Sequence, residues 1–176
     1  MHSARKALAC PLALLFAATP TAQAEAGVAY RNAALPIEQR VEDLLGRMTL
    51  EEKVGQMNMP CVYVDQLGKD IPAKLEACRK FAEGTFEPGL GPGGGFFTLA
   101  NTILHKGPRQ QAEYFNELQR IALEKTRLRI PLLQTEEGTH GLMCSGATIF
   151  PEGPALGSSW NIDLLRSVYS VAAREA

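Results

Sequence analysis

The 176-residue sequence predicts an α/β protein with parallel strands. Helical apolar patterns alternate along the chain with short apolar segments of strand length. Residues 129–135 (RIPLLQT) directly follow a long helical pattern, and their length and flanks are typical of a buried parallel strand. A complete eight-stranded α/β barrel takes about 250 residues, so the length excludes one.

Composition excludes two broad classes of protein. The chain has 18 Lys and Arg residues against 19 Asp and Glu residues, a formal net charge of −1. A nucleic-acid groove would show clustered Lys and Arg, which this balance does not favour. With 45% hydrophobic residues, the sequence is also too apolar for wholesale disorder. We therefore expect a globular protein with no nucleic-acid partner.

The first 24 residues have the pattern of a secretory signal peptide. Arg5 and Lys6 precede an apolar run at residues 8–18, and Ala22 and Ala24 supply a small-x-small cleavage site. The run is too short to span a bilayer, which needs about 20 residues, and the prolines within and after it disfavour a buried core helix. We expect cleavage after Ala24, export to the periplasm or beyond the cell, and no membrane association afterwards.

Three cysteines would remain after cleavage, namely Cys61, Cys78 and Cys144. An odd number leaves at least one thiol free or bonded to another chain. A Cys61–Cys78 disulfide is chemically possible in an oxidising compartment, but the spacing of the three matches no zinc pattern. We favour free, partly buried thiols and expect no metal.

Two helices are predicted at the start of the remaining chain. Pro36 begins the first, because proline suits the first helical turn, and Thr49 with Glu52 forms a capping box that begins the second. Val54 and Met57 are expected to point inward from the second helix. The apolar stripe of the first helix comprises Ile37, Val41, Leu44, Leu45 and Met48.

A glycine-rich loop separates a third helix, at residues 72–83, from a short strand at residues 95–99. The loop contains Gly89, Gly91 and Gly94 in the spacing of a dinucleotide fingerprint. That fingerprint requires a preceding strand and a following helix, and neither is predicted here. Nucleotide binding is therefore the least favoured function, and we interpret the loop as a flexible approach to the strand.

The longest predicted helix begins at Pro108, runs to about Thr126 and precedes the strand at residues 129–135. Asn161 is predicted to cap a last helix. Trp160, directly before it, is expected in the core by default, and a wall of the site is the alternative. The predicted buried faces comprise Ala112, Phe115, Leu118, Ile121 and Ala122 in the longest helix, and Leu165, Val168 and Ala172 in the last.

A polar cluster, residues 134–141 (QTEEGTHG), follows the predicted strand. The carboxyl ends of parallel strands carry ligands and catalytic groups in α/β proteins, so Glu136, Glu137 and His140 are candidates for substrate contact. A carboxylate can accept hydrogen bonds from two hydroxyls at once. The alternatives are solvated carboxylates at the start of a loop and, for His140, a structural hydrogen bond that holds the turn, which we favour for that residue on its own.

Other chemistry is not indicated by the sequence. Glu137-x-x-His140 lacks the further His or carboxylate ligands of a metal site. The sequence contains neither a Gly-x-Ser-x-Gly nucleophile elbow nor a His-Glu-x-x-His zinc motif. We therefore expect no cofactor.

Two segments resemble a known family. The first comprises residues 35–57, LPIEQRVEDLLGRMTLEEKVGQM. The second comprises residues 126–176, which contain IPLL, a His-Gly pair, FP and a Trp in that order. Both are similar to the N-terminal portion of family 3 glycoside hydrolases, especially exported bacterial β-glucosidases and β-xylosidases. The resemblance implies that residues 25–176 are the incomplete, N-terminal portion of a (β/α)8 barrel of the TIM type. It also implies a retaining enzyme that removes terminal sugars from β-linked glycosides with an Asp nucleophile and a Glu acid/base.

The resemblance assigns sugar contact to residues near the His-Gly pair. In the family an acidic residue three places before that His binds hydroxyls of the terminal sugar, which corresponds here to Glu137, with His140 and Gly141 after it. Many members have Asp at that place, and the family usually has Gly where Arg129 precedes IPLL. No segment of the chain matches the nucleophile motif, so we expect no catalytic residue here and no hydrolysis by this chain alone. The alternative is a non-catalytic carbohydrate-binding α/β module.

Overall fold

The computed structural model describes residues 28–176, and the described residues form two compact units, residues 28–47 and residues 48–176. The predicted signal peptide lies outside the described residues. Short 3-10 turns lie at Ala29–Arg31 and Asp65–Leu67. In the described residues the helices are α1 (Ile37–Arg47), α2 (Leu50–Gln56), α3 (Ile71–Glu83), α4 (Leu99–Ile103), α5 (Pro108–Lys125), α6 (Gly153–Gly157) and α7 (Ile162–Glu175), and the strands are β1 (Gly95–Phe97) and β2 (Leu133–Thr135).

In the first unit, polar contacts hold α1 to the turn that precedes it. The Tyr30 amide donates to Asp43 Oδ2 (3.0 Å), and Arg40 Nε donates to the Tyr30 carbonyl (3.0 Å). Asp43 also accepts from Arg47 one helical turn later (2.9 Å), and this hydrogen bond lowers the pKa of Asp43. The predicted helix is confirmed, but its apolar stripe remains largely exposed, with Ile37 at 69%.

In the second unit, α2 begins at the predicted capping box. Thr49 Oγ1 accepts from the Glu52 amide (3.2 Å), and Glu52 Oε2 accepts from the Thr49 amide (2.9 Å). The two bonds satisfy amides that the first helical turn leaves without partners. Glu52 also pairs with Arg127, just beyond α5, so the cap additionally ties α2 to the end of the longest helix.

The inner face of α2 is formed by backbone rather than by apolar side chains. The expectation that Val54 and Met57 point inward is wrong, because they are 40% and 86% exposed, while Gly55 is buried. A Cβ on Gly55 would lie 2.5 Å from the carbonyl oxygen of Gly91, and the Gly94 amide donates to the Gly55 carbonyl (3.1 Å). Bare backbone on both sides therefore lets the glycine-rich loop lie directly on α2.

The hydrophobic core of the second unit lies among α3, α4, α5 and β1. Phe96 of β1 is fully buried, and its ring meets Phe81 of α3 edge-on with ring centroids 5.4 Å apart. Cys78 of α3 and Leu118 of α5 are also fully buried, as the helical periodicity predicts. The core therefore fixes β1 between the helices that flank it in sequence.

β1 and β2 pair in parallel, which confirms the predicted strand direction. Gly95 lies opposite Leu133, and Phe97 lies opposite Thr135. On the other side of β1, Cys61 forms an isolated parallel bridge to Phe97. Parallel strands require a crossover connection, and α4 and α5 supply it. The second unit is thus an α/β structure with parallel strands.

β2 is shorter and more exposed than the predicted buried strand at residues 129–135. Leu132 is buried, but Leu133 is 66% exposed. Among the described residues β2 pairs with β1 alone, so its second edge has no neighbouring strand to cover it. Arg129 is exposed and has a φ of 54°, a left-handed conformation that favours glycine.

Two other expectations about burial are wrong. On α5, Ala112 is exposed whereas Gln111 and Tyr114 are buried, because their polar groups donate to backbone carbonyls at 3.1 and 2.7 Å. Trp160 is 93% exposed rather than in the core, and it lies between α6 and α7 at a φ of 52°. Apolar periodicity cannot foresee buried polar groups that find partners, or the direction in which a tight turn points a side chain.

The last helix confirms its predicted cap and inner face. Asn161 Oδ1 accepts from the Leu164 amide (3.0 Å) directly before α7. Val168 is buried, and Leu165 and Ala172 are partly buried.

Replacing Gly95 by Ala should separate the two strands, because a Cβ there would lie 1.9 Å from the Leu133 carbonyl oxygen. Neither backbone can move away without weakening the strand pairing, so we expect the free energy of unfolding to fall by about 2–3 kcal/mol. Gly157 is the matched control, since nothing lies within 4 Å of its Cβ position. Gly157→Ala should change stability by less than about 0.5 kcal/mol. Urea unfolding measures both, and an unchanged Gly95→Ala chain would contradict this packing.

A second prediction concerns Arg79 of α3 and Glu117 of α5, which contact at 2.6 Å. Hydrogen bonding from Arg79 lowers the pKa of Glu117 below its ordinary value of 4.5. The pair therefore stabilises the fold above that value and loses its contribution as the pH falls through the lowered native pKa. Glu117→Gln should reduce the free energy of unfolding near neutral pH by less than about 1 kcal/mol, because both side chains remain about one-third exposed.

Urea unfolding at about pH 7 and at about pH 3 checks this expectation, because the deficit of Glu117→Gln should shrink toward zero at the lower pH. Glu113 is the matched control on the same helix. It pairs with Arg109 one turn away, but the side chains are 65% and 92% exposed, so Glu113→Gln should leave stability unchanged. A Glu117→Gln deficit that persists in full at the lower pH would refute the assignment.

Candidate functional site

Three chain segments reach the same edge of the sheet. Phe97, at the end of β1, exchanges two hydrogen bonds of 3.1 Å with residues 60–62 and pairs with Thr135 on its other side. Cys61, Phe97 and Thr135 therefore form one row across the three segments. We call the residues that follow this row the carboxyl edge, which comprises residues 62–64, 98–99 and 136–141.

Glu136, the first acid after β2, is engaged by backbone amides. Its carboxylate accepts from the Asn101 amide (2.9 Å) and from the Glu137 amide (3.0 Å). The first of these bonds satisfies an amide in the first turn of α4. Glu136 therefore holds α4 to the end of β2, a structural role that the sequence could not separate from solvation or substrate contact.

Glu137, the second acid, has a carboxylate that remains open. The residue is half-buried, and its carbonyl accepts from the Met143 amide (3.0 Å). Within residues 28–176 its carboxylate receives no hydrogen bond and forms no ion pair. Such a carboxylate keeps its full capacity to accept hydrogen bonds from a ligand. Two adjacent acids thus have different environments on the carboxyl edge.

His140 lies in a tight turn that closes the loop after Glu137. It is half-buried, and its carbonyl accepts from the Phe150 amide (2.7 Å). Gly141 follows with a φ of 97°, and a Cβ there would lie 2.3 Å from the Thr148 carbonyl oxygen, so the turn requires glycine. The structure gives the His140 backbone a role in this turn, while sugar contact by its imidazole stays a prediction.

Tyr63 is an aromatic residue on the carboxyl edge that the sequence analysis missed. Its side chain is 61% exposed. The side chain of Cys61, by hydrogen bonding and by charge, raises the pKa of the Tyr63 hydroxyl, and the nearby Glu137 carboxylate raises it further. The surrounding segment is too short and mixed to assign from sequence. The alternation of Val62, Tyr63 and Val64 is the signal that could have marked it as a strand end.

A cleft of about 540 Å³ lies beside β2, between α5 and the end of α7. Its walls are mostly apolar and include Phe115 and Leu142, while Glu136 and Cys144 supply polar groups. Glu137 is not among the residues that line it. The cleft is therefore distinct from the open carboxylate on the carboxyl edge.

The three described cysteines are free thiols, as we favoured from the sequence. Burial raises the pKa of the Cys78 thiol to about 12. Burial, together with the charges of Glu136 and Glu175, also raises the pKa of Cys144. Because the thiolate is the reactive form, neither environment favours a cysteine nucleophile.

The glycine-rich loop does not have the structure of a nucleotide site. The amides of Gly91, Gly93 and Gly94 donate to protein carbonyls at 3.0, 2.9 and 3.1 Å, so they do not point at a phosphate. β1 follows the loop, whereas a dinucleotide fingerprint follows its strand. The three amides are therefore used within the fold.

Residues 28–176 contain no group of three or more His, Cys, Asp or Glu side chains arranged to hold a metal ion. In the same part of the chain, no helix has both the length and the apolar character needed to cross a membrane.

Known proteins resemble the chain over most of its length. The family described as Glycosyl hydrolase family 3 N terminal domain matches residues 49–176. A protein named as a beta-xylosidase in Formosa agariphila is 33% identical over 148 residues, which cover 84% of this chain and 18% of that protein. A periplasmic beta-glucosidase of Salmonella typhimurium is 35% identical over 136 residues, which cover 77% of this chain and 14% of that protein.

A fungal protein is also similar. Beta-glucosidase C of Emericella nidulans is 31% identical over 154 residues, which cover 83% of this chain and 23% of that protein. The chain therefore spans less than a quarter of the length of each of these three relatives.

Proposed function

The chain belongs to glycosyl hydrolase family 3, and from this membership we propose that it supplies the first strands of the barrel of a β-glycosidase and part of the sugar site. The β-xylosidase and β-glucosidase names of its relatives support a terminal β-linked glucose or xylose as the substrate class. Parallel β1 and β2, connected by α4 and α5, are consistent with neighbouring units of a (β/α)8 barrel.

The observation that carries this proposal is the open carboxylate of Glu137. It lies on the carboxyl edge, where barrel enzymes bind their substrates, and no described group of the protein occupies it. Two sugar hydroxyls can donate to one carboxylate, so Glu137 can orient a terminal sugar without taking part in bond cleavage. His140, in the turn that follows, is the second residue to which we assign sugar contact.

We place the nucleophile Asp and the acid/base Glu outside this chain. A retaining glycosidase holds the two carboxyl groups about 5–5.5 Å apart, so that one attacks the anomeric carbon while the other protonates the leaving oxygen. Glu136 is engaged by amides, and Asp163 pairs with Arg166 (3.0 Å) in the first turn of α7. On this proposal the chain alone hydrolyses no glycoside, and the rest of a longer protein completes both the barrel and the catalytic pair.

We also propose that the protein is exported and acts in the periplasm or outside the cell. The charged, apolar and small-residue pattern of the first 24 residues supports this proposal. One of the similar proteins is itself named as periplasmic.

A non-catalytic carbohydrate-binding module is the second candidate, favoured by one observation: the open carboxylate lies on a chain to which we assign no catalytic pair. The product of the complete reading frame distinguishes the two candidates. Hydrolysis of nitrophenyl β-glucoside or β-xyloside by that product supports the glycosidase, whereas sugar binding without any hydrolysis supports the module.

The adjacent acids give a direct test of the proposed site in the product of the complete reading frame. Glu137→Gln should lower kcat/KM for the nitrophenyl glycoside by about 10- to 100-fold, because it removes a charged acceptor of sugar hydroxyls. Glu136→Gln, which weakens the bonds to the Asn101 and Glu137 amides, should mainly lower the melting temperature. Steady-state kinetics and thermal unfolding of both variants separate the two roles.

Glu124→Gln is the control for loss of an acid, because Glu124 is exposed in the last turn of α5. It should leave both kcat/KM and the melting temperature unchanged. If Glu137→Gln retains the kcat/KM of the unsubstituted enzyme, Glu137 does not belong to the sugar site.

A further inference from the structure

We propose that Tyr63 forms an aromatic wall of the sugar site and contacts the apolar face of the terminal sugar whose hydroxyls bind Glu137. This inference rests on the function proposed above and adds a residue that determines sugar affinity. Cys61, Phe97 and Thr135 form the row across the three segments, with Cys61 and Thr135 at its two ends. Tyr63 lies two residues after Cys61, and Glu137 lies two residues after Thr135.

The spacing of the segments suits a small ligand between the two side chains. Cys61 and Thr135 are separated by two interstrand spacings, a span of about 10 Å. Tyr63 is 61% exposed and Glu137 is half-buried, so both side chains are accessible from solvent. The Glu137 carboxylate is among the groups that raise the pKa of the Tyr63 hydroxyl, which agrees with this placement.

A buried cation fixes the backbone that carries Tyr63. Lys74 of α3 is only 7% exposed, and its Nζ donates to the carbonyls of Val62 (2.8 Å) and Val64 (2.7 Å). These carbonyls belong to the residues directly before and after Tyr63. A buried ammonium group is costly unless it is well hydrogen-bonded, so this contact constrains the segment closely. The ring is thereby presented on a rigid backbone, which reduces the entropy lost on binding.

Sugar chemistry suits this pairing of side chains. A pyranose has apolar C–H faces and a rim of hydroxyls, so a flat ring can cover a face while a carboxylate accepts from the rim. A single exposed aromatic residue needs no explanation on a protein surface. Tyr63 differs because its backbone is clamped on both sides and its hydroxyl lies within the field of an open carboxylate.

The test uses the product of the complete reading frame and nitrophenyl β-glucoside. Tyr63→Ala and Tyr63→Leu should each raise KM by about tenfold with a smaller change in kcat, because both remove the ring that covers the sugar. Tyr63→Phe retains the ring and should stay within about twofold of the unsubstituted KM. Tyr169→Ala, which removes a 44% exposed tyrosine of α7, is the matched control and should leave KM unchanged.

Each outcome decides the inference. The leucine variant retains side-chain bulk, so it remains informative if the alanine variant does not fold. If Tyr63→Leu has the KM of the unsubstituted enzyme while Glu137→Gln is impaired, the Tyr63 assignment is wrong and the proposed function stands. If Tyr63→Phe raises KM as strongly as Tyr63→Leu, the wall is not formed by the ring. If the unsubstituted product neither hydrolyses nor binds a β-glycoside, the proposed function is wrong and this inference falls with it.

Discussion

The fold of the second unit depends on close contact between stretches of bare backbone. A Cβ on Gly95 would meet the Leu133 carbonyl, a Cβ on Gly94 would meet the Gln56 carbonyl, and one on Gly93 would overlap the Phe81 ring. These glycines let residues 93–95 lie against the end of α2, the Phe81 ring and β2 at the same time. Side chains at these positions would push the elements apart, and the row that ends at the carboxyl edge would not form.

The same backbone contact gives Glu136 and Glu137 different roles at the carboxyl edge. Pairing of β1 with β2 brings Glu136 within reach of the Asn101 amide, where it holds the first turn of α4. The carboxylate of the adjacent Glu137, by contrast, receives no hydrogen bond from the described residues. Lys74 performs a comparable structural task on the other side of β1 for the segment around Tyr63. Glu137 and Tyr63, which a ligand can reach, are therefore held in place by Glu136 and Lys74, whose polar groups are already hydrogen-bonded within the protein.

Helices with local signals could be predicted from the sequence, and features that depend on tertiary contact could not. The capping box at Thr49 and the cap at Asn161 are determined within a few residues, and both are confirmed. The predicted inner face of α2 is wrong because packing through glycine leaves no apolar pattern in the sequence. The predicted burial of β2 is wrong because burial of that strand needs a second neighbouring strand. Glu137 could be singled out only by resemblance, whereas Tyr63 became visible once the row across the sheet was known.

We propose that Glu137 accepts from the hydroxyls of a terminal sugar while the ring of Tyr63 covers an apolar face of the same sugar. The most direct measurement is photolabelling of the product of the complete reading frame with a diazirine-bearing β-glucoside, followed by peptide mass spectrometry. We expect adducts within residues 62–64 and 136–141 that decrease when unlabelled glucoside competes. Adducts confined to cleft residues outside the carboxyl edge, such as Phe115 and Leu142, or to other parts of the protein away from that edge, would contradict this assignment.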